Sequence, residues 1–169
     1  MVTAPNFLTL FNFKTIIRDA ALVGIMAIGL TFVTLSGNFF LLSMKETAAL
    51  CIIAFATGMA SGWGFELSFL FTMVFALIAG ISQGALIGIG GNPIVVTLGA
   101  AGVLYGLGAY WSDNLVVSYR RPHGAEWLGT GSFLGLPNIT VAFILIAISA
   151  ELLLRKTSFG RQVYLIGAN

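Results

Sequence analysis

Long uncharged stretches alternate with short charged ones along the chain. Stretches of 25, 19, 46 and 24 residues carry no charged residue, and they occupy 20–44, 47–65, 67–112 and 127–150. A bilayer core is crossed by about 20 apolar residues of helix. The longest stretch therefore has room for two spans, and Gly90-Gly91-Asn92-Pro93 predicts a turn inside it. The pattern predicts an all-α polytopic membrane protein with about five helices, near 16–36, 44–62, 66–88, 93–110 and 137–155.

Composition supports a membrane environment. Hydrophobic residues make up 58% of the chain and charged residues 8%, and the mean hydropathy is +0.99. Soluble domains carry roughly 25% charged residues, so this chain has too little polar surface for water. The net charge of +2 without a basic stripe argues against a nucleic-acid partner. The predicted localisation is the bacterial cytoplasmic membrane.

The sequence lacks the motifs of an energy-converting enzyme. No lysine occurs between Lys45 and Lys156, so no Gly-x-x-x-x-Gly-Lys phosphate loop is present. The single histidine, His123, and the single cysteine, Cys51, predict no metal site, and no cofactor is expected. No ionisable residue falls in the middle of a predicted span, which disfavours a proton-coupled carrier working alone. These features indicate a pore-forming subunit driven by a separate protein, and not an enzyme.

Small residues recur at four-residue spacing in the predicted helices. Such spacing lets two helix backbones approach closely in lipid. The pattern predicts helix–helix contacts, although glycine also leaves space for a translocation path. The predicted packing residues are Gly58, Gly62, Gly80, Gly84 and Gly88.

The chain ends on TSFGRQVYLIGAN, residues 157–169, a polar segment that follows an apolar run directly. It resembles the cytoplasmic segment of permease subunits from ribose-type monosaccharide ABC importers, where the pattern is approximately Thr-x-Phe-Gly-Arg-x-x-Tyr-x-Ile-Gly-x-Asn. The segments 24–31, 93–99 and 136–137 also resemble that family. Two positions depart from its pattern: Phe40 stands where relatives commonly have aspartate, and Gln83-Gly84 replaces Asn-Gly.

The resemblance implies a permease subunit that moves a monosaccharide or a similar small polar solute. Cytosolic ABC ATPase subunits, an external solute-binding protein and a second permease chain are the implied partners. The implied ATPase-coupling residues are Phe159, Gly160, Arg161, Tyr164, Gly167 and Asn169, with Gly160 turning the chain sharply and Arg161 as the anchor. The implied substrate pathway contains Asn38, Phe40, Gln83, Gly84, Thr97 and Gly99.

Orientation and completeness depend on the same resemblance. Four basic residues fall on each side of the predicted membrane, so the positive-inside rule does not decide. The family implies an external loop at 111–136 and a cytoplasmic segment at 156–169. Family permeases are about twice as long, so a truncated product or a split gene is expected. The alternatives are a facilitative carrier or channel without an ATPase, and a non-functional fragment.

Overall fold

A computed structural model of the chain describes residues 9–37, 41–117, 127, 129–133 and 135–168. These residues form helices and one two-stranded hairpin, which confirms the all-α polytopic fold class. The hairpin strands are β1 (Ser132–Phe133) and β2 (Leu136–Pro137). The helices are α1 (Leu10–Leu35), α2 (Met44–Ala60), α3 (Phe65–Gly88), α4 (Pro93–Trp111), α5 (Asn138–Lys156) and α6 (Ser158–Gly167).

Local capping determines where several of these helices begin. The Thr9 hydroxyl accepts from the Asn12 amide at 3.4 Å, so α1 starts at Leu10 rather than near residue 16 as predicted. Before α4, the Asn92 side chain accepts from the Ile94 amide at 3.0 Å, and Pro93 occupies the first helical position. The turn between α3 and α4 has Gly90 at φ 104°, a conformation that favours glycine.

Four helices are long and apolar enough to cross a bilayer: α1, α3, α4 and α5. Helix α2 has 17 residues, the lower bound of about 17–25 for a span. Large apolar side chains such as Leu77, Ile81 and Leu98 are exposed on the surfaces of their helices. Such surfaces are unusual for a protein in water and are expected in lipid. The chain is a multi-pass protein of the cytoplasmic membrane.

One compact unit contains α1, α5, α6 and the hairpin. Helices α1 and α5 approach closely at Gly24, where an added Cβ would lie 2.5 Å from the Phe143 ring. In the antiparallel hairpin, Ser132 pairs with Pro137 and Phe133 with Leu136. The hairpin and α6 lie in regions for which the sequence predicted only a loop and a polar segment.

The second compact unit contains α2, α3 and α4. Leu50, Ala79 and Leu104, one from each helix, form its buried core. Helices α2 and α3 approach closely at Gly58, where an added Cβ would lie 2.8 Å from the Ser68 hydroxyl. Because Gly58 has no side chain, the buried Ser68 of α3 comes within van der Waals distance of the α2 backbone.

Candidate translocation and coupling sites

A buried polar pair, Ser43 and Gln83, joins the beginning of α2 to the C-terminal part of α3. Ser43 is 1% exposed and Gln83 is 7% exposed. The Ser43 hydroxyl donates to the Gln83 side-chain carbonyl at 2.5 Å, and the Gln83 amide nitrogen donates to the Ala79 carbonyl at 3.0 Å. The two side chains thus hold each other in a fixed orientation inside the second unit.

A groove of about 380 Å³ runs between α3 and α4 beside this pair. Its wall is mainly apolar, with the polar groups of Ser82 and Gln83 on the α3 side. The lining residues are Ala79, Ser82, Gln83, Leu86, Val95, Val96, Gly99, Ala100, Val103 and Leu104. A groove with few polar groups suits a small uncharged solute better than an ion.

The predicted pathway residues do not all meet at this groove. Gln83 and Gly99 line it from opposite helices. Thr97 is fully buried, and its hydroxyl donates to the Pro93 carbonyl at 2.8 Å, a bond within α4. Gly84 is exposed and has no heavy atom within 4 Å of an added Cβ. Asn38 and Phe40 lie outside the described residues.

The glycines predicted to pack helices occupy different environments. Gly58 faces Ser68 across the α2–α3 contact. Gly62 lies beyond the end of α2 with φ 83°, where it contributes to ending the helix. Gly80, Gly84 and Gly88 have no neighbour within 4 Å of an added Cβ among the described residues. A contact of these three glycines with another chain stays a prediction.

The segment after α5 folds back on it as helix α6. Thr157 lies between the two helices in an extended conformation; its hydroxyl donates to the Leu153 carbonyl at 2.6 Å and accepts from the Gly160 amide at 3.3 Å. Gly160 contacts the Leu154 carbonyl so closely that an added Cβ would overlap it. Gly160 lies inside α6 without a positive φ, so it provides space and not the unusual turn predicted from the sequence.

Helix α6 has one face against its own unit and one face outside. Val163 is buried, the rings of Phe159 and Phe32 lie 6.3 Å apart, and Gly167 contacts the Leu35 carbonyl. On the outer face, Arg161 is exposed and its guanidinium donates to the Ser158 hydroxyl at 3.0 Å. Leu165 is 70% exposed, and Tyr164 and Ile166 are also exposed. Asn169 lies outside the described residues.

The sequence analysis predicted a coupling segment at 156–169 but did not predict that it forms a helix. The signal was present, because Thr157 is a good helix N-cap and Phe159, Val163 and Ile166 follow at helical spacing. The outer face of α6 combines an arginine donor group with apolar side chains. Such a combination is typical of a protein-docking surface.

The chain is similar to known transport proteins along most of its length. Residues 12–169 match the family described as "Branched-chain amino acid transport system / permease component". The chain is 32% identical over 167 residues to the ribose import permease protein RbsC of Bacillus subtilis (strain 168), covering 98% of this chain and 52% of that protein. It is 34% identical over 162 residues to the autoinducer 2 import system permease protein LsrD of Klebsiella pneumoniae, covering 89% of this chain and 47% of that protein. No solved structure matches the chain.

The chain therefore belongs to the branched-chain amino acid transport system permease family, a family of transport permease components. A further relative, the autoinducer 2 import system permease protein LsrC of Salmonella typhimurium, is 28% identical over 97% of this chain and 47% of its own length. The chain spans about half the length of the curated relatives it matches.

Proposed function

We propose that this chain is the transmembrane permease component of an ABC importer that moves a monosaccharide or a similar small polar solute. The family match over residues 12–169 supports the permease role. The relatives named for ribose and autoinducer 2 import support a small polar solute. The chain itself would perform no covalent chemistry, and ATP hydrolysis would take place on a separate cytosolic ATPase.

The geometry of α6 is the observation that carries the proposal. The helix is fixed to the end of α5 through Thr157 and through the close contact of Gly160 with Leu154. A force applied to the outer face of α6 would therefore reach α5, which is long enough to cross the membrane. An ATPase bound at Arg161 and the apolar residues beside it would bias two states of the helix bundle in this way.

The remaining partners in this proposal are a second permease chain and an external solute-binding protein. A second permease chain would pack on the face of α3 that carries Gly80, Gly84 and Gly88, because close backbone approach stabilises helix pairs in lipid. A solute-binding protein would deliver solute at the outer end of the membrane domain. Gln83 and Gly99 would contact the solute in the groove between α3 and α4.

The anchoring role of Arg161 gives the test of this proposal. In Arg161→Lys the charge remains and the planar fork of donors is lost. If the guanidinium binds carboxylate or carbonyl groups of the ATPase, its replacement should weaken the complex by about 1–3 kcal/mol, roughly 5- to 150-fold. We expect less ATPase to co-purify with the variant and ATP-dependent ribose uptake to fall.

The matched control is Arg155→Lys, because the Arg155 guanidinium is paired with Glu151 on the same helix. Both variants are co-expressed with the ATPase and binding protein of a ribose import system, and the uptake is measured with and without vanadate. Equal behaviour of the two variants would refute the anchoring role. Vanadate-insensitive uptake would indicate a facilitative carrier, and no uptake with a bound ATPase would indicate a non-functional fragment.

The proposal also predicts the orientation of the chain in the membrane. Residues 111–136 are expected outside and 156–169 in the cytosol. Single cysteines are introduced by Ser132→Cys and by Gln162→Cys, both at exposed positions, in a Cys51→Ser background. An impermeant maleimide should label intact cells only in the Ser132→Cys variant. Labelling of the Gln162→Cys variant from outside would show that the chain has the opposite orientation. In that orientation a cytosolic ATPase could not reach α6.

A further inference from the structure

A cavity of about 500 Å³ lies at the end of α4, within the second compact unit. Its lining residues are Leu107, Tyr110, Trp111 and Asp113. It is separate from the groove between α3 and α4, since the two share no described lining residue. Its volume falls in the range of about 300–1,000 Å³ that is usual for small-molecule sites. None of these four residues has a role in the proposed permease function.

The wall of the cavity at Trp111 is held in place because that ring packs against α3. The centroid of the Trp111 ring lies 6.2 Å from that of Phe71 and 6.1 Å from that of Phe75, both in edge-to-face geometry. The Trp63 ring packs on Phe71 in the same way at 5.4 Å. Aromatic pairs of this kind are favourable beyond the area that they bury. The aromatic wall is therefore formed before any ligand binds.

An unusual backbone turn fixes Asp113 beside this wall. Asp113 and Asn114 have φ of 50° and 56°, in the left-handed region that few non-glycine residues adopt. The turn is closed by hydrogen bonds from the Asn114 amide to the Ala109 carbonyl at 3.0 Å and from the Leu115 amide to the Ser112 carbonyl at 2.8 Å. Among the described residues, the Asp113 carboxylate has no ion-pair or hydrogen-bond partner. The carboxylate is thus free to bind a ligand in the cavity.

The length of α4 places the cavity at a membrane–water interface. The helix has 19 residues and extends about 28 Å at 1.5 Å per residue, close to the bilayer core of about 30 Å. Tyr110 and Trp111 are its last two residues, and both residue types are enriched at the headgroup level. Leu107 and, one turn earlier, Val103 continue the same helix face toward the bilayer core and are 47% and 63% exposed. The cavity therefore adjoins headgroups on one side and apolar surface on the other.

The chemistry of the cavity selects a cationic ligand group. An ammonium group pairs with a carboxylate and is also attracted to the faces of tryptophan and tyrosine rings. An anion would be repelled by Asp113, and a calcium ion requires six to eight oxygen ligands where the described lining has one carboxylate. Lys45 is the only basic residue that the structure describes in the second unit, and it lies at the beginning of α2, 3.9 Å from Glu46. No described basic side chain therefore neutralises Asp113.

We propose that Tyr110, Trp111 and Asp113 bind the ammonium headgroup of a phosphatidylethanolamine molecule from the adjacent leaflet. The ammonium contacts the Asp113 carboxylate and the aromatic rings, and an acyl chain lies along Leu107 and Val103. A lysine side chain of a docked protein offers the same cation, but it brings no apolar chain to this helix face. The lipid satisfies both parts of the surface, and the inference does not depend on the proposed permease function.

The test measures how phosphatidylethanolamine stabilises the purified full chain in detergent. The thermal unfolding midpoint is followed as lipid is added, and half-saturation is read from its rise. Asp113→Asn keeps the shape of the side chain and removes the charge, and asparagine tolerates the same left-handed conformation. We expect half-saturation to rise about tenfold in Asp113→Asn and about threefold in Tyr110→Leu. Phosphatidylglycerol, which has no ammonium group, should produce no saturable rise.

The matched controls are Tyr105→Leu and Glu66→Gln. Tyr105 is a 65% exposed tyrosine of the same helix, Glu66 is an exposed carboxylate in the first turn of α3, and neither lines the cavity. Both variants should keep the half-saturation of wild type. Equal half-saturation in wild type and Asp113→Asn would refute the site, and so would equal stabilisation of wild type by phosphatidylglycerol. Lower stability of Asp113→Asn without a change in half-saturation would also refute it, because the carboxylate would then act within the chain.

A separate measurement identifies a docked protein as the source of the cation. The chain is reconstituted in vesicles of phosphatidylglycerol alone and sedimented with a purified ribose-binding protein. If Asp113→Asn lost this binding while its phosphatidylethanolamine dependence stayed as in wild type, the lipid assignment would be wrong. Unchanged sedimentation together with a tenfold weaker lipid dependence would support it. Neither measurement involves ATP-driven uptake, so the lipid site and the permease proposal are tested independently.

Discussion

Gly160→Ala is expected to separate α6 from the end of α5 and to abolish ATPase coupling. The added methyl group would overlap the Leu154 backbone carbonyl, which belongs to the last turns of α5 and has little freedom to move. Overpacking of this kind costs about 1–3 kcal/mol. The result is measured as a lower thermal unfolding midpoint of the purified chain and as loss of the co-purifying ATPase.

Gly29→Ala is the matched control for this change. Gly29 lies inside α1, in the same compact unit, and an added Cβ would meet no heavy atom within 4 Å. Since alanine is preferred to glycine inside helices by about 0.5–1 kcal/mol, Gly29→Ala should leave stability unchanged or raise it slightly. If Gly160→Ala matched Gly29→Ala in both stability and ATPase binding, α6 would not be fixed to α5 by this contact.

The sequence does not show which glycines contact another helix. Gly58 and Gly80 both belong to series of small residues at four-residue spacing, so the sequence does not distinguish them. In the structure an added Cβ at Gly58 would contact Ser68, whereas at Gly80 it would have no described heavy atom within 4 Å. Small residues at four-residue spacing indicate that a helix has a face to which another helix can pack closely. They do not identify the neighbour, because the neighbour depends on how helices distant in sequence are arranged.

The helices themselves could be predicted well from the sequence. Apolar length and the turn at Gly90 locate α3 and α4 to within a few residues, since lipid requires an uninterrupted hydrogen-bonded helix. The start of α1 was misplaced because residues 10–15 include Lys14, which a hydropathy pattern reads as outside the membrane. The Thr9 cap extends the helix through these residues nevertheless.

The candidate sites could be predicted only in part. Gln83 and residues 157–169 were singled out in the sequence because they occupy positions of a recognisable pattern, and their roles stay predictions. Ser43 was missed, since its partner lies 40 residues away and nothing local signals the contact. The hydrogen bonds of Asn138 were missed for a similar reason, since its side-chain and backbone amides donate to carbonyls of residues 127 and 131, which precede the helix.

Replacing Gln83 should have a large effect, and its origin can be resolved with a double-mutant cycle. Gln83→Met keeps the volume and removes the acceptor, which leaves the nearly fully buried Ser43 hydroxyl without a partner. Leaving such a group unpaired costs about 1–3 kcal/mol. Ser43→Ala should also destabilise, because it leaves the Gln83 carbonyl unpaired. The double variant should cost less than the sum of the two single variants.

The same cycle tests whether Gln83 also contacts the solute. Gln83 lines the groove between α3 and α4, whereas Ser43 does not. If the pair is only structural, the double variant should recover both the unfolding midpoint and ribose uptake relative to Gln83→Met. If Gln83 binds solute, stability should recover and uptake should stay low, since the amide is still missing from the groove. Ser82→Ala, which removes an exposed hydroxyl bonded to the Ala79 carbonyl, controls for changes in groove polarity without loss of the buried pair. Additive losses of stability in the cycle would show that the Ser43–Gln83 hydrogen bond does not stabilise the unit.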